Sequence, residues 1–183
     1  MISASQRISL LARQPQTVFH ARDLARLWNI EKENTLNGLL SRYYKKGLLF
    51  RIYKGLYSLQ APEKIDPFLL GVKALHSYAY VSTETILVRA GAMTQMVYDI
   101  TLVSNRSARF QIGQHSYLSR QLQDKYLYNP AGIIQENGIF KATPERALAD
   151  LWYFNPKAYI DGQDTFDKEK IRALQKEIGY PLT

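Results

Sequence analysis

The chain has 183 residues, 24 Lys and Arg against 16 Asp and Glu, a formal net charge of +8 at pH 7, and no cysteine. With 46% hydrophobic and 22% charged residues, the composition is that of a globular protein of one or two small domains, not of a disordered or collagen-like chain. The lack of cysteine excludes disulfides, thiolate metal sites and a thiol nucleophile. The first residues, MISASQRISLLARQ, are interrupted by Arg7 and Arg13 and lack a secretory apolar core, and no apolar run is long enough to span a bilayer. A cytoplasmic protein with no membrane partner is expected.

The charge is uneven. A Gln-Ala-Pro segment ending at Pro62 follows a strand-like run, and residues 1–62 carry ten basic groups against three acidic ones (Asp23, Glu31 and Glu33), a net of +7. Residues 63–183 carry 14 and 13, a net of +1. Two domains, 1–62 and 63–183, are therefore expected, the first facing a polyanion and the second doing something else. A merely solubilising surface would have the same composition, so the placement of the basic residues decides.

In chain order, Ser3 or Ser5 can cap a helix over Gln6 to Arg13, with Ile8, Leu11 and Ala12 on one face, and Pro15 ends it. Thr17 to Phe19 read as a short extended stretch. A second short helix covers Ala21 to Trp28, with Leu24, Leu27 and Trp28 at i, i+3 and i+4. A third runs from Lys32 or Asn34 to Lys46, and Gly47 stops it. At about 100° per residue, Leu36, Leu39, Leu40 and Tyr43 share a narrow arc. Opposite them lie Asn34, Asn37, Gly38, Ser41, Arg42 and Lys45, a face of amides, a hydroxyl and cations without a carboxylate. A solvated helix face usually mixes both signs, because Glu/Lys pairs stabilise it. Asn and Arg are also the side chains that pair bidentately with adenine and guanine edges in the major groove. The third helix thus reads as a DNA-reading element.

After Gly47 the period changes to two: Leu48, Phe50 and Ile52 alternate with Leu49, Arg51 and Tyr53, and Lys54-Gly55 forms a two-residue turn into Leu56 to Leu59. Three helices and a hairpin carrying Arg51 and Lys54 describe a winged helix-turn-helix whose wing grips phosphate. The candidate DNA-binding residues are Asn34, Asn37, Ser41, Arg42, Lys45, Lys46, Arg51 and Lys54.

The remainder reads as a small α+β domain with a mostly antiparallel sheet. Asp66-Pro67 opens a helix to His76, and Ser82 or Thr83 opens another to about Ala90. Strands follow at Asp99 to Ser104, Ala108 to Gly113, from His115, at Gly132 to Glu136 and beyond the Asn137-Gly138 hairpin signal. Thr143-Pro144 starts a helix burying Leu148, Leu151 and Trp152, and a last helix spans Asp167 to Glu177. His20, His76 and His115 have no carboxylate at metal-ligand spacing, so neither a metal nor a cofactor is expected. Glu145 suits a helix start, and Arg146 with Asp150 makes an ordinary i,i+4 ion pair. Asp99, Glu145 and Asp150 carry no nuclease-type pattern, and no enzyme activity is expected. The 13 tyrosines, clustered at 43/44, 53/57, 78/80 and 126/128, are expected to be mostly half-buried, with some serving a protein interface in the second domain.

Three segments, LSRYYKKGLLFRIYKGLYSL (Leu40 to Leu59), YVSTETIL (Tyr80 to Leu87) and ATPERALADLWYF (Ala142 to Phe154), together resemble the AbiEi family of antitoxins. The resemblance implies a bacterial type IV toxin–antitoxin or phage-defence regulator. Its N-terminal winged helix would repress its own operon from inverted operator half-sites, and its C-terminal domain would oppose a nucleotidyltransferase-like toxin. Ser41, Arg42, Lys45, Lys46, Arg51 and Lys54 are the positions carried over as DNA contacts. The alternative is a protein-binding module whose winged helix docks a partner without binding an operator.

Overall fold

In the computed structural model, which describes residues 3–162 and 165–182, the chain divides into two units, residues 1–76 and 77–183. The division falls at His76 and not at Pro62. Pro62–Lys64 is a 3-10 turn leading into helix α4 (Pro67–Ala74), which packs on a strand of the first unit. The charge split survives this shift: residues 1–76 hold twelve basic and five acidic groups, and residues 77–183 hold twelve and eleven.

The first unit begins with α1 (Ala4–Ala12), set by a reciprocal cap. Ser3 Oγ accepts the Gln6 amide at 3.2 Å, and Gln6 Oε1 accepts the Ser3 amide at 2.8 Å. Strand β1 (Val18–His20) leads into α2 (Ala21–Leu27) and α3 (Glu33–Lys45), followed by β2 (Phe50–Tyr53) and β3 (Leu56–Ser58). Both junctions after these helices are left-handed caps. Beyond α2, Asn29 at φ 52° lets Ile30 donate to Ala25 O at 2.9 Å. Beyond α3, Gly47 at φ 66° lets Leu48 donate to Tyr43 O at 2.9 Å. The strands form an antiparallel sheet in the order β1-β3-β2. Leu11, Phe19, Leu24, Trp28, Leu36, Leu39, Leu40, Tyr43, Leu49 and Tyr57 make one core beneath them. Each fully buried leucine contributes roughly 2 kcal/mol of transfer free energy, so the leucine face of α3 anchors that helix.

The second unit is a six-stranded mixed sheet in the order β6-β7-β5-β4-β9-β8. Its strands are β4 (Ala79–Val81), β5 (Asp99–Ser104), β6 (Ala108–Ile112), β7 (His115–Gln121), β8 (Ile133–Glu136) and β9 (Ile139–Ala142). β4 with β9 and β5 with β7 are parallel, and the other pairs are antiparallel. Helices α5 (Glu84–Arg89), α6 (Asp124–Leu127), α7 (Pro144–Phe154) and α8 (Lys168–Ile178) complete it. The β8–β9 turn has Asn137 at φ 51° and Gly138 at φ 77°, as a two-residue type I′ hairpin requires. Over both units the chain is mixed α+β, with mostly antiparallel pairing. Among the described residues no helix is long and apolar enough to cross a membrane.

The i,i+4 pair on α7 differs from its expectation. Arg146 and Asp150 are both fully buried, with Arg146 Nε donating to Asp150 Oδ1 at 2.9 Å. Asp150 also accepts Tyr180 at 2.6 Å, Ser82 at 2.7 Å and Tyr80 at 3.0 Å. The Arg146 terminal nitrogens donate to the carbonyls of Asn129, Ala131 and Tyr126 and to Tyr80 Oη. All five guanidinium N–H groups are thereby used. Burial works against the Arg146 charge, but Asp150 and the two tyrosines outweigh it and hold its pKa above the usual arginine value. Burial and Asp150 push the Tyr180 and Tyr80 hydroxyls far up, so both stay protonated and donate. The network ties β4, α7 and the segment after α8 together.

Candidate nucleic-acid interface

The candidate interface is built on α3, because its sequence separates two faces and the fold buries only one. Leu36, Leu39, Leu40 and Tyr43 are buried. Asn34, Asn37, Ser41, Arg42, Lys45 and Lys46 are all exposed. Tyr43 meets Trp28 edge-on at 5.7 Å, and the Trp28 indole donates to Arg7 O at 3.3 Å, locking the buried face to α2 and α1. The helix starts at Glu33, so its first turn holds one carboxylate. At 100° per residue Glu33 sits about 110° from the middle of the exposed polar face, which itself stays free of acid.

The cations gather at one end. Arg42 and Lys45 lie in the last turn of α3 and Lys46 caps it, a placement that the negative end of the helix favours. Asn34 and Asn37 lie toward the other end, where a concavity of about 640 Å³ is bordered by Asn37, Glu33, Glu31 and Asp23, and by Arg22 and Arg26 of α2. The amide end of the face thus has mixed-charge surroundings.

Arg51 and Lys54 are exposed on the hairpin. Arg51 lies opposite Tyr57 in mid-strand and Lys54 is in the turn, with a bulge between Arg51 and Tyr53. The turn is tied down from two sides: Gly55 O accepts the Ala21 amide at 2.8 Å, and Lys54 O lies 2.9 Å from His76 Nε2. The His76 ring lies 4.3 Å from that of His20. Burial, and then His76, lower the His20 pKa, with Asp23 opposing.

Some residues of this surface escaped the sequence pattern. Arg22 and Arg26 are exposed on α2 and border the same concavity as Asn37; their i,i+4 spacing was the signal available. Tyr44 is 53% exposed beside the polar face of α3, and Leu48 and Phe50 are exposed just beyond it. Of the 13 tyrosines only Tyr53, Tyr78, Tyr126 and Tyr153 are half-buried, while Tyr44, Tyr98, Tyr128 and Tyr159 are exposed and the rest are buried. Among the other candidates, Asp150 is consumed by the buried network, Asp99 pairs with Arg109 at 3.1 Å, and Glu145 occupies the first turn of α7. Among the described residues no group of three or more His, Asp or Glu could hold a metal ion.

Fold and surface together define a mixed α+β chain whose first unit presents a basic helix face beside a basic hairpin. Its structure is similar to that of the Rv2827c protein from Mycobacterium tuberculosis, with a TM-score of 0.57 and 16% identity over 97% of this chain and 72% of that one. At that identity the likeness is one of fold alone. No protein-family model matches the sequence, and no curated protein matches it.

Proposed function

We propose that the chain is a sequence-specific DNA-binding autorepressor of the AbiEi antitoxin type, whose first unit is a winged helix-turn-helix. One observation carries the proposal: the polar, carboxylate-free side of α3 is open to solvent along its length while its leucine side is buried. In this reading α3 enters the major groove, with Asn34, Asn37, Ser41 and Arg42 toward base edges and Lys45 and Lys46 toward phosphate. The β2–β3 hairpin is the wing, and Arg51 and Lys54 grip the backbone beside the groove. Arg22 and Arg26 on the preceding helix are placed to cross the backbone, as the first helix of such a pair does. The second unit carries the antitoxin role against a nucleotidyltransferase-like toxin, an assignment that rests on the resemblance of Tyr80 to Leu87 and Ala142 to Phe154 to the family.

The test is binding of the purified chain to duplex DNA from upstream of its own gene, against shuffled DNA of equal length. Preference for the upstream fragment supports the proposal, and equal or absent binding at low salt overturns it. A second reading, a docking surface for protein in place of DNA, is favoured by exposed Tyr44, Leu48 and Phe50 at the cationic end of α3. It predicts no upstream binding together with retention of a neighbouring-gene product by an Arg42/Lys45/Lys46 triple alanine variant.

A further inference from the structure

The three most exposed large apolar side chains among the described residues are Tyr98 at 83%, Met96 at 77% and Tyr159 at 69%. All three border one cleft of about 770 Å³ in the second unit. Met93, Val97, Leu118, Leu151 and Phe154 add apolar side chains to a lining that also holds polar and charged residues. Solvent-facing Tyr and Met beside apolar side chains are the composition of a protein-contact core, since Tyr presents large rigid area at low entropic cost and the flexible Met thioether adapts to a partner's shape.

Charge identifies the occupant. The carboxylates on the cleft, Glu84 and Asp99, are paired with Arg120 and Arg109. An adjoining cavity of about 440 Å³ shares Lys157, Ala158 and Tyr159 with the cleft. It adds Lys168 and Arg172, and no described carboxylate lines it. Lys157, Lys168 and Arg172 are all exposed, and no described ion pair involves them. The geometry points to an acidic protein segment as the partner: an apolar side chain seats in the cleft, and flanking carboxylates meet the three cations next door. A single strand of nucleic acid would call for cations along a track and ring faces under successive bases. Here Lys157, Lys168 and Arg172 are gathered in one cavity and do not form a track along the rings of the cleft. The surface lies wholly in the second unit and does not depend on DNA binding by the first.

The experiment selects phage-displayed random dodecapeptides on the full chain, then measures anisotropy of the recovered peptides and of a labelled 20-mer oligouridine. Expected are peptides with a large apolar residue flanked by Asp or Glu. Tyr98→Ala with Tyr159→Ala should weaken them at least tenfold. Reversal of the three cations, as Lys157→Glu, Lys168→Glu and Arg172→Glu, should do the same. All five positions are exposed, and the two sets of changes are independent, so a folding defect in one leaves the other to decide, with thermal melting as the check. Recovery of no acidic class, or affinity unchanged in both variants, overturns the inference. So does oligouridine binding that is lost in those variants, which would make the surface a nucleic-acid site.

Discussion

Replacing Asp150 with Asn removes one charge and changes almost no volume, which makes it a sharp probe of the buried network in the second unit. The carboxylate receives four donors: Arg146 Nε and Tyr180 on Oδ1, and Ser82 and Tyr80 on Oδ2. An amide keeps one oxygen for two of them and turns an NH2 group toward the other two. The Arg146 guanidinium, itself fully buried, is left without its counter-charge. Breaking one side of a buried pair costs about 3–5 kcal/mol, a large part of the ~5–15 kcal/mol available to a domain. The two tryptophans fall one in each unit, Trp28 and Trp152. Urea unfolding followed by fluorine NMR of 5-fluorotryptophan therefore reads the units separately. Asp150→Asn should shift the Trp152 transition by that amount and leave the Trp28 transition in place. Arg146→Met with Asp150→Leu together should cost about 2 kcal/mol less than the sum of the two single changes, because no orphaned charge remains. A loss below about 1 kcal/mol for Asp150→Asn, or strict additivity, would mean that Asp150 is not the counter-charge on which buried Arg146 depends.

Gly132→Ala and Gly138→Ala separate close approach from backbone strain by the same unfolding measurement. Both glycines have positive φ, but a Cβ at Gly132 would stand 2.7 Å from Arg146 Cβ, whereas one at Gly138 meets nothing within 4 Å. Gly138→Ala should cost ~1 kcal/mol of left-handed strain, and Gly132→Ala clearly more; equal losses would contradict the packing described. Because the folded pKa of His20 lies below its ordinary 6.5, the unfolded chain binds more protons between those values. The first unit should therefore be most stable above pH 6.5, lose stability as pH falls from there toward the folded pKa, and level off below it. Urea midpoints at pH 7.5 and 5.5 should converge in His20→Gln, and an unchanged pH dependence would exclude His20 as the source. On DNA, Arg42→Ala should relax base preference by ~1–3 kcal/mol, while Lys54→Ala should weaken all sequences alike; competition assays with single-base operator variants distinguish them.

Local chemistry was legible wherever it acts over a few residues. The Leu36/Leu39/Leu40/Tyr43 arc, the Gly47 stop and the Asn137-Gly138 turn each depend on spacing or on a backbone angle that few residues tolerate, and the structure has them where the pattern put them. What depends on distant partners was not legible. Arg146 and Asp150 read as a helical ion pair, because i,i+4 spacing says nothing about what covers the helix; Tyr80, 70 residues upstream, and Tyr180 do so. The alternating runs located β5, β6 and β7, but not that β7 lies between the other two and runs parallel to β5. α6 has only four residues, too few for an amphipathic period. Pro62 resembles a linker by composition, yet the helix after it packs on β1. For the candidate interface, the eight proposed side chains are all exposed. Arg22 and Arg26 escape the sequence pattern because the spacing of Leu24, Leu27 and Trp28 reports only the buried face of their helix.

The proposed contact is that of the exposed side of α3 and the adjacent hairpin with the phosphates and bases of a duplex. Its most direct test is the affinity for the upstream fragment as a function of salt, for the wild type and for Ser41→Ala/Arg42→Ala/Lys45→Ala. If Arg22, Arg26, Lys45, Lys46, Arg51 and Lys54 each displace a counterion, log K should fall against log salt with a slope of about −5. The triple variant should show a slope shallower by about one and a reduced preference for the upstream sequence, since Asn34 and Asn37 remain. A flat salt dependence, or a triple variant that binds and discriminates like the wild type, would mean that this face of α3 does not contact DNA.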